Sequence, residues 1–128
     1  MADILIDTDV VIEWLRGNET IVNHLIEIKR SGKAIFYSPV TKAEIFHGLR
    51  RDEEERTRDF FLSCSSIPIN DEIGERAGLY LARYHKSHSL ALGDALITAT
   101  CYIHKISLFT LNMKHYPMKD MQFVHERP

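Results

Sequence analysis

The sequence predicts an α/β domain in which a central, mostly parallel sheet of four to five strands lies between layers of helices. Two observations support this fold class. Short apolar segments alternate along the chain with longer segments whose apolar residues repeat at helical spacing, so strands alternate with helices. Strands separated by helices pair in parallel, because the chain must cross back over the sheet before the next strand begins. The chain has 128 residues, the size of one domain, and we treat 1–128 as a single unit.

The predicted elements run strand, helix, helix, strand, two helices, strand, two helices and two final strands. Strands are predicted at residues 4–6, 34–37, 66–69, 107–111 and 122–124. Helices are predicted at residues 10–16, 19–31, 41–51, 52–64, 71–85 and 92–104. Asp9 is placed to cap the first helix and Asn18 to cap the second.

Composition and charge narrow the function classes. Apolar residues make up 45% of the chain and charged residues 27%, as in ordinary globular proteins. The net charge of −2 provides no overall basic field to attract nucleic acid, although a site built from carboxylates would itself lower the net charge. Cys64 and Cys101 have no partner at metal-ligand spacing and are expected to be free thiols. The acidic N-terminus and the short apolar runs predict a cytoplasmic protein with no membrane partner.

Three acidic residues far apart in sequence are predicted to meet at one edge of the sheet. Asp7 ends the first strand. Glu44 lies in the first turn of the helix after the second strand, and Asp94 lies near the start of the helix before the fourth strand. All three positions are at the carboxyl edge of a parallel sheet, where ligands bind in open α/β folds. Asn112 and His115 follow the fourth strand and are predicted at the same edge.

Such a cluster of carboxylates indicates a divalent cation. Like charges raise one another's pKa, so the cluster is unfavourable without a counter-ion. Carboxylate oxygens suit Mg²⁺ or Mn²⁺, which retain water and also accept phosphate oxygens. One ion can activate water, and two ions about 4 Å apart can stabilise the attacking and leaving oxygens. The reaction class that the pattern indicates is phosphodiester hydrolysis.

Each of these acids also has a purely structural interpretation. Thr41 and Glu44 have the spacing of a capping box at a helix N-terminus. Asp7 could form a turn at the strand end, and Asp94 could interact with the dipole of its helix.

Trp14 also has two interpretations, since it could pack in the core or form part of a groove for a partner helix. The residues alone leave these alternatives open.

Four sequence blocks together resemble a known family. They occur in the order and spacing of the PIN-domain pattern and are most similar to the VapC-type toxins of bacterial toxin–antitoxin pairs. The blocks are LIDTDVVIEWLRG at 5–17, VTKAEIFHGLRR at 40–51, LGDALITATC at 92–101 and LFTLNMKHYP at 108–117. The resemblance covers nearly the whole chain and implies a three-layer α/β/α PIN-like domain.

The resemblance implies roles for the residues at the sheet edge. Asp7, Glu44 and Asp94 fall on the three principal metal-binding acids of the family. Many members have a fourth acid, for which this chain offers Asn112 or His115. The implied catalytic set is therefore Asp7, Glu44, Asp94 and Asn112, with Mg²⁺ as cofactor and Mn²⁺ as a substitute.

Other polar and basic residues are implied in supporting roles. Thr8, Thr110 and His115 match polar positions beside the acids, whereas Asp9 is interpreted as a helix cap. The candidate contacts to RNA phosphates, which could equally form a solvated surface, are Lys42, Arg50, Arg51 and Lys114.

The function that the resemblance implies is that of a Mg²⁺-dependent endoribonuclease, the toxin of a toxin–antitoxin pair. It would hydrolyse phosphodiester bonds in RNA, with transfer RNA as one candidate, and so inhibit translation. The implied partners are the RNA, a cognate antitoxin and a second copy of the chain, in a homodimer and in a toxin–antitoxin hetero-oligomer. Two alternatives are a metal-dependent, structure-specific DNA nuclease and a non-catalytic PIN module that binds nucleic acid or protein.

Overall fold

The computed structural model describes residues 3–124, which form a five-stranded sheet with helices on both faces. The strands are β1 Ile4–Ile6, β2 Ile35–Tyr37, β3 Ser65–Ser66, β4 Ser107–Phe109 and β5 Gln122–Phe123. The helices are α1 Thr8–Leu15, α2 Glu19–Arg30, α3 Pro39–His47, α4 Glu54–Leu62, α5 Asp71–His88 and α6 Leu92–His104. Two 3-10 turns lie at Arg51–Glu53 and Met113–His115.

The strands lie in the order β3-β2-β1-β4-β5, and every neighbouring pair is parallel. β1 is central, since Ile4 pairs with Ile35 on one side and with Ser107 on the other. The chain builds the sheet outward from β1 first through β2 and β3, and later on the opposite side through β4 and β5. The order therefore reverses at β1, and ligand crevices form beside such a reversal. The predicted fold class is confirmed.

Alternate residues of the central strands point to opposite faces of the sheet and start two hydrophobic clusters. Leu5 and Leu108 belong to the cluster that contains α5 and α6. Ile4 and Phe109 belong to the cluster that contains α1, α2 and α4, and half-buried Trp14 packs against it with its ring 5.5 Å from the ring of Phe60. This contact agrees with the core interpretation of Trp14.

Several element boundaries differ from the predictions. α3 covers Pro39–His47 rather than 41–51, because the Ser38 hydroxyl accepts a hydrogen bond from the N–H of Val40 and proline is favoured at the first helical position. β3 is Ser65–Ser66 rather than 66–69, since Pro68 has no N–H to pair. The predicted helix at 52–64 is a 3-10 turn followed by α4, and α5 continues to His88.

Two further predictions concern the cysteines and the membrane. Cys64 and Cys101 are both free thiols, and Cys101 is buried. Within residues 3–124, no helix combines the length and the apolar character needed to cross a bilayer.

Candidate active site

Asp7 lies where β1 ends and α1 begins. Its backbone N–H donates to the carbonyl of Phe109 at 2.9 Å, which ties the residue to β4. Its side chain caps α1, because Oδ1 accepts a hydrogen bond from the N–H of Thr8 at 2.8 Å. Asp7 is buried, with only 6% of its surface exposed. The prediction that Asp9 caps this helix is wrong, since α1 already includes Asp9.

Glu44 reaches the same edge of the sheet from α3. The helix begins at Pro39, so Thr41 lies inside it and Glu44 lies in its second turn rather than its first. The two residues do not form a capping box, because Oε1 of Glu44 accepts a hydrogen bond from the Thr8 hydroxyl at 2.6 Å. The Thr41 hydroxyl lies 3.0 Å from the Thr8 hydroxyl and is the donor, since Thr8 gives its one proton to Glu44. Two hydroxyl groups therefore fix the direction of this carboxylate.

Asp94 is the third residue of α6 and has both a structural and a site-facing role. Its Oδ2 accepts a hydrogen bond from the N–H of Ala91 at 3.1 Å, which closes the N-terminus of the helix. The same oxygen lies 2.8 Å from Nε2 of His115. α6 approaches α3 closely here, since a Cβ on Gly93 would lie 3.4 Å from Oε2 of Glu44. The tighter contact of that Cβ would be with Cγ1 of Val40 at 3.1 Å, so a residue larger than glycine would press on α3 at this point.

Tyr116 connects two of the predicted acids, a role that the sequence did not reveal. Its hydroxyl donates to Oδ2 of Asp7 at 2.6 Å and lies 3.5 Å from Oδ1 of Asp94. Burial and the neighbouring Asp7 charge raise the pKa of Tyr116, so the hydroxyl keeps its proton and remains a donor. The only signal in the sequence was an aromatic residue directly after His115, which is equally typical of a core residue.

Asp9 also belongs to the site. Its Oδ2 accepts hydrogen bonds from the N–H of Leu111 at 3.1 Å and from the Thr110 hydroxyl at 3.3 Å. Its Oδ1 is buried and has no hydrogen-bond partner among the described residues. Burial and the nearby Asp7 carboxylate raise the pKa of Asp9 to about 6. The side chain thus ties the segment after β4 to α1 and leaves one oxygen without a donor.

These side chains surround one cavity of about 370 Å³ at the carboxyl edge of β1 and β4. Every catalytic, metal-binding and supporting residue that we predicted at the edge lines it, together with four residues that we did not predict. The lining consists of Asp7, Thr8, Asp9, Ile12, Glu44, His47, Asp94, Thr110, Asn112, His115 and Tyr116.

The four basic residues predicted to contact RNA do not line this cavity. All four are exposed. Lys42 places its ammonium 5.6 Å from the ring of Phe61, and Arg51 and Lys114 lie in the two 3-10 turns. Arg50 lines a neighbouring groove.

Within residues 3–124, no three acidic, histidine or cysteine side chains lie close enough together to hold a metal ion as they are placed. The carboxylates are instead held by hydrogen bonds from Tyr116, Thr8 and His115. The donor set fits a hard divalent cation in its chemistry, because the cavity gathers carboxylate oxygens. One of them, Oδ1 of Asp9, is buried and has no hydrogen-bond donor in the described part of the chain. Binding would require some of the carboxylates to exchange a hydrogen bond for the ion.

The chain matches the family model of the PIN domain over residues 4–119, a range that includes every residue of the cavity. The chain belongs to the PIN-domain family. This PIN domain is 36% identical over 116 residues to Ribonuclease VapC10 of Mycobacterium tuberculosis, covering 90% of this chain and 86% of the relative. It is 31% identical over 120 residues to Ribonuclease VapC19 of the same organism, covering 92% of this chain and 96% of the relative. The predicted resemblance to VapC-type proteins is confirmed.

Solved structures with the same fold come from toxin–antitoxin complexes. The PIN domain superposes on a chain of DNA-bound VapBC from Salmonella typhimurium with a TM-score of 0.82 at 13% identity, over 97% of this chain and 98% of that one. It superposes on a chain of promoter-bound VapBC2 from Rickettsia felis with a TM-score of 0.79 at 18% identity, over 94% of this chain and 96% of that one. At these identities the likeness shows a shared fold.

The Tyr116 hydroxyl gives a first testable prediction. We expect Tyr116→Phe to lower the free energy of unfolding of the metal-free protein by about 1–3 kcal/mol, because the buried Asp7 carboxylate loses a hydrogen-bond donor. Urea unfolding in EDTA at neutral pH measures this. Tyr102→Phe is the control, since the Tyr102 hydroxyl makes no hydrogen bond within residues 3–124. Equal stability of the two variants would contradict the assigned contact.

The raised pKa of Asp9 gives a second prediction, on the pH dependence of stability. The pKa is about 6 in the folded protein against an ordinary value of 3.8, so folding favours the protonated form. The contribution of Asp9 to stability is therefore complete below about pH 4 and is lost as the pH rises through 6. Without metal at pH 7.5, Asp9→Asn should be more stable than the wild type by on the order of 1–3 kcal/mol.

Urea unfolding of both proteins between pH 4 and pH 7.5 checks this, and the difference between them should close as the pH falls. Asp59→Asn, which changes an exposed acid on α4, should show no such gain. A pH-independent difference between Asp9→Asn and the wild type is the result that contradicts the assignment.

Proposed function

We propose that this PIN domain is a Mg²⁺-dependent endoribonuclease that hydrolyses phosphodiester bonds as the toxin of a toxin–antitoxin pair, with Mn²⁺ able to replace Mg²⁺. The observation that carries the proposal is the convergence of Asp7, Glu44 and Asp94, from three separate elements, on one cavity at the sheet edge. Carboxylate clusters of this kind suit hard cations that also bind phosphate oxygens. The relatives named ribonucleases support the choice of RNA.

In this proposal Asp7, Glu44 and Asp94 hold the ion, which would activate water and neutralise charge on the phosphate when bound. The residues around them orient the ligands. The Thr8 hydroxyl orients the Glu44 carboxylate by donating a hydrogen bond to it. Nε2 of His115 lies 2.8 Å from Oδ2 of Asp94 and orients that carboxylate in the same way. The exposed Asn112 contributes a neutral amide to the cavity, where an acid at the same position would add a negative charge.

The proposed partners of this PIN domain are an antitoxin, a second copy of the chain and an RNA. The structural neighbours are chains of VapBC complexes, which supports a cognate antitoxin and a toxin–antitoxin hetero-oligomer. A homodimer of this chain is proposed as well, from the family resemblance alone. The substrate would be a cytoplasmic RNA, with transfer RNA as the candidate whose cleavage inhibits translation. Exposed basic residues suited to contact its phosphates are Lys42, Arg50, Arg51 and Lys114.

Conservative replacement of the acids tests the catalytic assignment. We expect Asp7→Asn, Glu44→Gln and Asp94→Asn each to lower the rate of RNA cleavage about a hundredfold or more, because a ligand that stabilises the transition state is lost. Each variant should unfold at no lower urea concentration than the wild type, since repulsion within the cluster falls and the amide keeps an acceptor oxygen. Both oxygens of Asp7 accept hydrogen bonds, and in Asp7→Asn the amide N–H₂ would donate to the Tyr116 hydroxyl instead of accepting from it. Asp59→Asn serves as the control with full activity. Near-wild-type cleavage by Asp94→Asn would exclude the assignment.

The absence of a fourth acid at the Asn112 position predicts the number of bound ions. We expect one Mg²⁺ to bind firmly without substrate, near Asp7 and Asp94, and a second to bind weakly until a phosphate bridges it. His115 is a poor Mg²⁺ ligand. Asp9 can offer only Oδ1 to a second ion, because its Oδ2 already accepts hydrogen bonds from the segment after β4. Isothermal titration of RNA-free protein measures the stoichiometry. Asn112→Asp should tighten the second ion, and two equally tight ions in the wild type would contradict this account.

A further inference from the structure

A groove beside the carboxylate cavity carries three arginines. It has a volume of about 500 Å³ and lies between α1, α3 and the segment that runs from the first 3-10 turn into α4. Arg16 comes from the end of α1, Arg50 precedes the turn, and Arg56 lies on α4. All three are exposed, and we call this feature the arginine groove.

The arginine groove is continuous with the cavity. Ile12 and Glu44 line both, so the groove opens where Glu44 faces the site. A phosphodiester held in the cavity has nucleotides on each side, and these must leave along the protein surface. The groove provides a path for one side of the strand.

The charge of the groove is available to a ligand. Among residues 3–124, neither Arg50 nor Arg56 has an ion-pair partner within 4 Å. Arg16 pairs with Glu13 at 3.2 Å, but its side chain is 71% exposed and such surface pairs are weak. Glu53 also lines the groove, and its carboxylate accepts a hydrogen bond from the backbone N–H of Arg50. Three guanidinium groups against the carboxylates of Glu44 and Glu53 leave the groove lining with a net positive charge, in a chain whose own net charge is −2.

The shape and floor of the groove indicate how a nucleic acid would be held. The apolar part of the lining is aliphatic, from Ile12, Leu15, Ile45 and Leu49, and no aromatic side chain among the described residues lines it. Bases therefore find no stacking platform, whereas arginine binds phosphate in a bidentate manner. With a volume of about 500 Å³ the groove has the size of a small-ligand cleft, which suits one strand of nucleic acid better than the wider double helix.

We propose that the arginine groove binds the sugar–phosphate backbone of single-stranded RNA on one side of the scissile phosphate, through Arg16, Arg50 and Arg56. The proposal rests on the ribonuclease function proposed above and assigns roles to Arg16 and Arg56, which were not among the predicted contacts. Binding of this kind positions the strand without reading its sequence.

A binding measurement tests the proposal directly. The Asp94→Asn protein, which prevents turnover, is titrated into a short fluorescent single-stranded RNA at several salt concentrations. Adding Arg16→Gln, Arg50→Gln and Arg56→Gln should raise Kd about tenfold or more at low salt and make the dependence of log K on log salt shallower by about 2, for three phosphate contacts. A matched control removes the same charge from α2 and α5 through Arg30→Gln, Arg83→Gln and Lys86→Gln.

Unchanged RNA affinity of the groove variant, or an equal loss in the control, overturns the proposal. If the triple variant does not fold, Arg56→Gln alone should still weaken binding, and Arg56→Lys should restore most of it. A groove that loses affinity only for a protein partner, with RNA affinity intact, also overturns it.

Kinetics in the wild-type background separate this proposal from the ribonuclease function. The groove variant should raise KM for a long RNA and leave kcat unchanged. It should lose much less activity on a dinucleotide, which has no further phosphates to place along the groove. If the wild type cleaves RNA but the groove variant has the same KM, only the groove proposal fails. If the wild type cleaves no RNA with Mg²⁺ or Mn²⁺, the ribonuclease function fails.

Discussion

Four carboxylates share one small cavity, and the repulsion among them is the constraint to which the rest of the site responds. They belong to Asp7, Asp9, Glu44 and Asp94. The fold offsets their charge with hydrogen-bond donors, chiefly Tyr116 at Asp7, Thr8 at Glu44, His115 at Asp94 and the Leu111 N–H at Asp9. Among residues 3–124, Oδ1 of Asp9 is a buried oxygen without a hydrogen-bond partner. Burial and the neighbouring Asp7 charge raise the pKa of Asp9. A divalent cation would relieve the same repulsion more completely than these hydrogen-bond donors do.

The sheet topology brings the carboxylates together and also stabilises the charge of two of them. The strand order reverses at β1, which brings the ends of β1 and β4 and the N-termini of α1 and α6 to one edge. Asp7 caps α1 and Asp94 lies in the first turn of α6, so the positive end of a helix dipole favours each of these carboxylates. Glu44 lies in the second turn of α3, without that support, and is held by the Thr8 hydroxyl instead.

The arrangement has a consequence for substrate access. The acids repel a phosphate until a cation is bound, so under the proposed function affinity for RNA would come from elsewhere on the surface. The arginine groove is continuous with the cavity at Glu44 and places positive charge beside the negative site. Separate surfaces would then serve binding and chemistry, which explains how a chain of net charge −2 could act on a polyanion.

The sequence predicted the convergence of Asp7, Glu44 and Asp94 because a parallel sheet brings strand ends and helix starts to the same edge whatever the details of the loops. The place of Asp9 in the site was not predicted, because it depends on α1 beginning at Thr8 instead of at Val10. Hydrophobic periodicity does not resolve a shift of two residues in a helix start.

The role of Tyr116 depends on the irregular path of the chain after β4, through a 3-10 turn, which no hydrophobic pattern specifies. The sequence also left the start of α3 ambiguous between two positions. Ser38 and Thr41 are both suitable caps, and Pro39 favours the earlier start.

Cleavage of matched RNA and DNA by the purified protein tests the central claim most directly. Labelled single strands of the same sequence are incubated with the wild type in Mg²⁺, in Mn²⁺ and in EDTA, with the Asp94→Asn protein run in parallel. The account predicts that RNA alone is cut, by the wild type alone, and only when Mg²⁺ or Mn²⁺ is present. Cleavage that persists in EDTA or in the Asp94→Asn protein, or that extends equally to DNA, would contradict it.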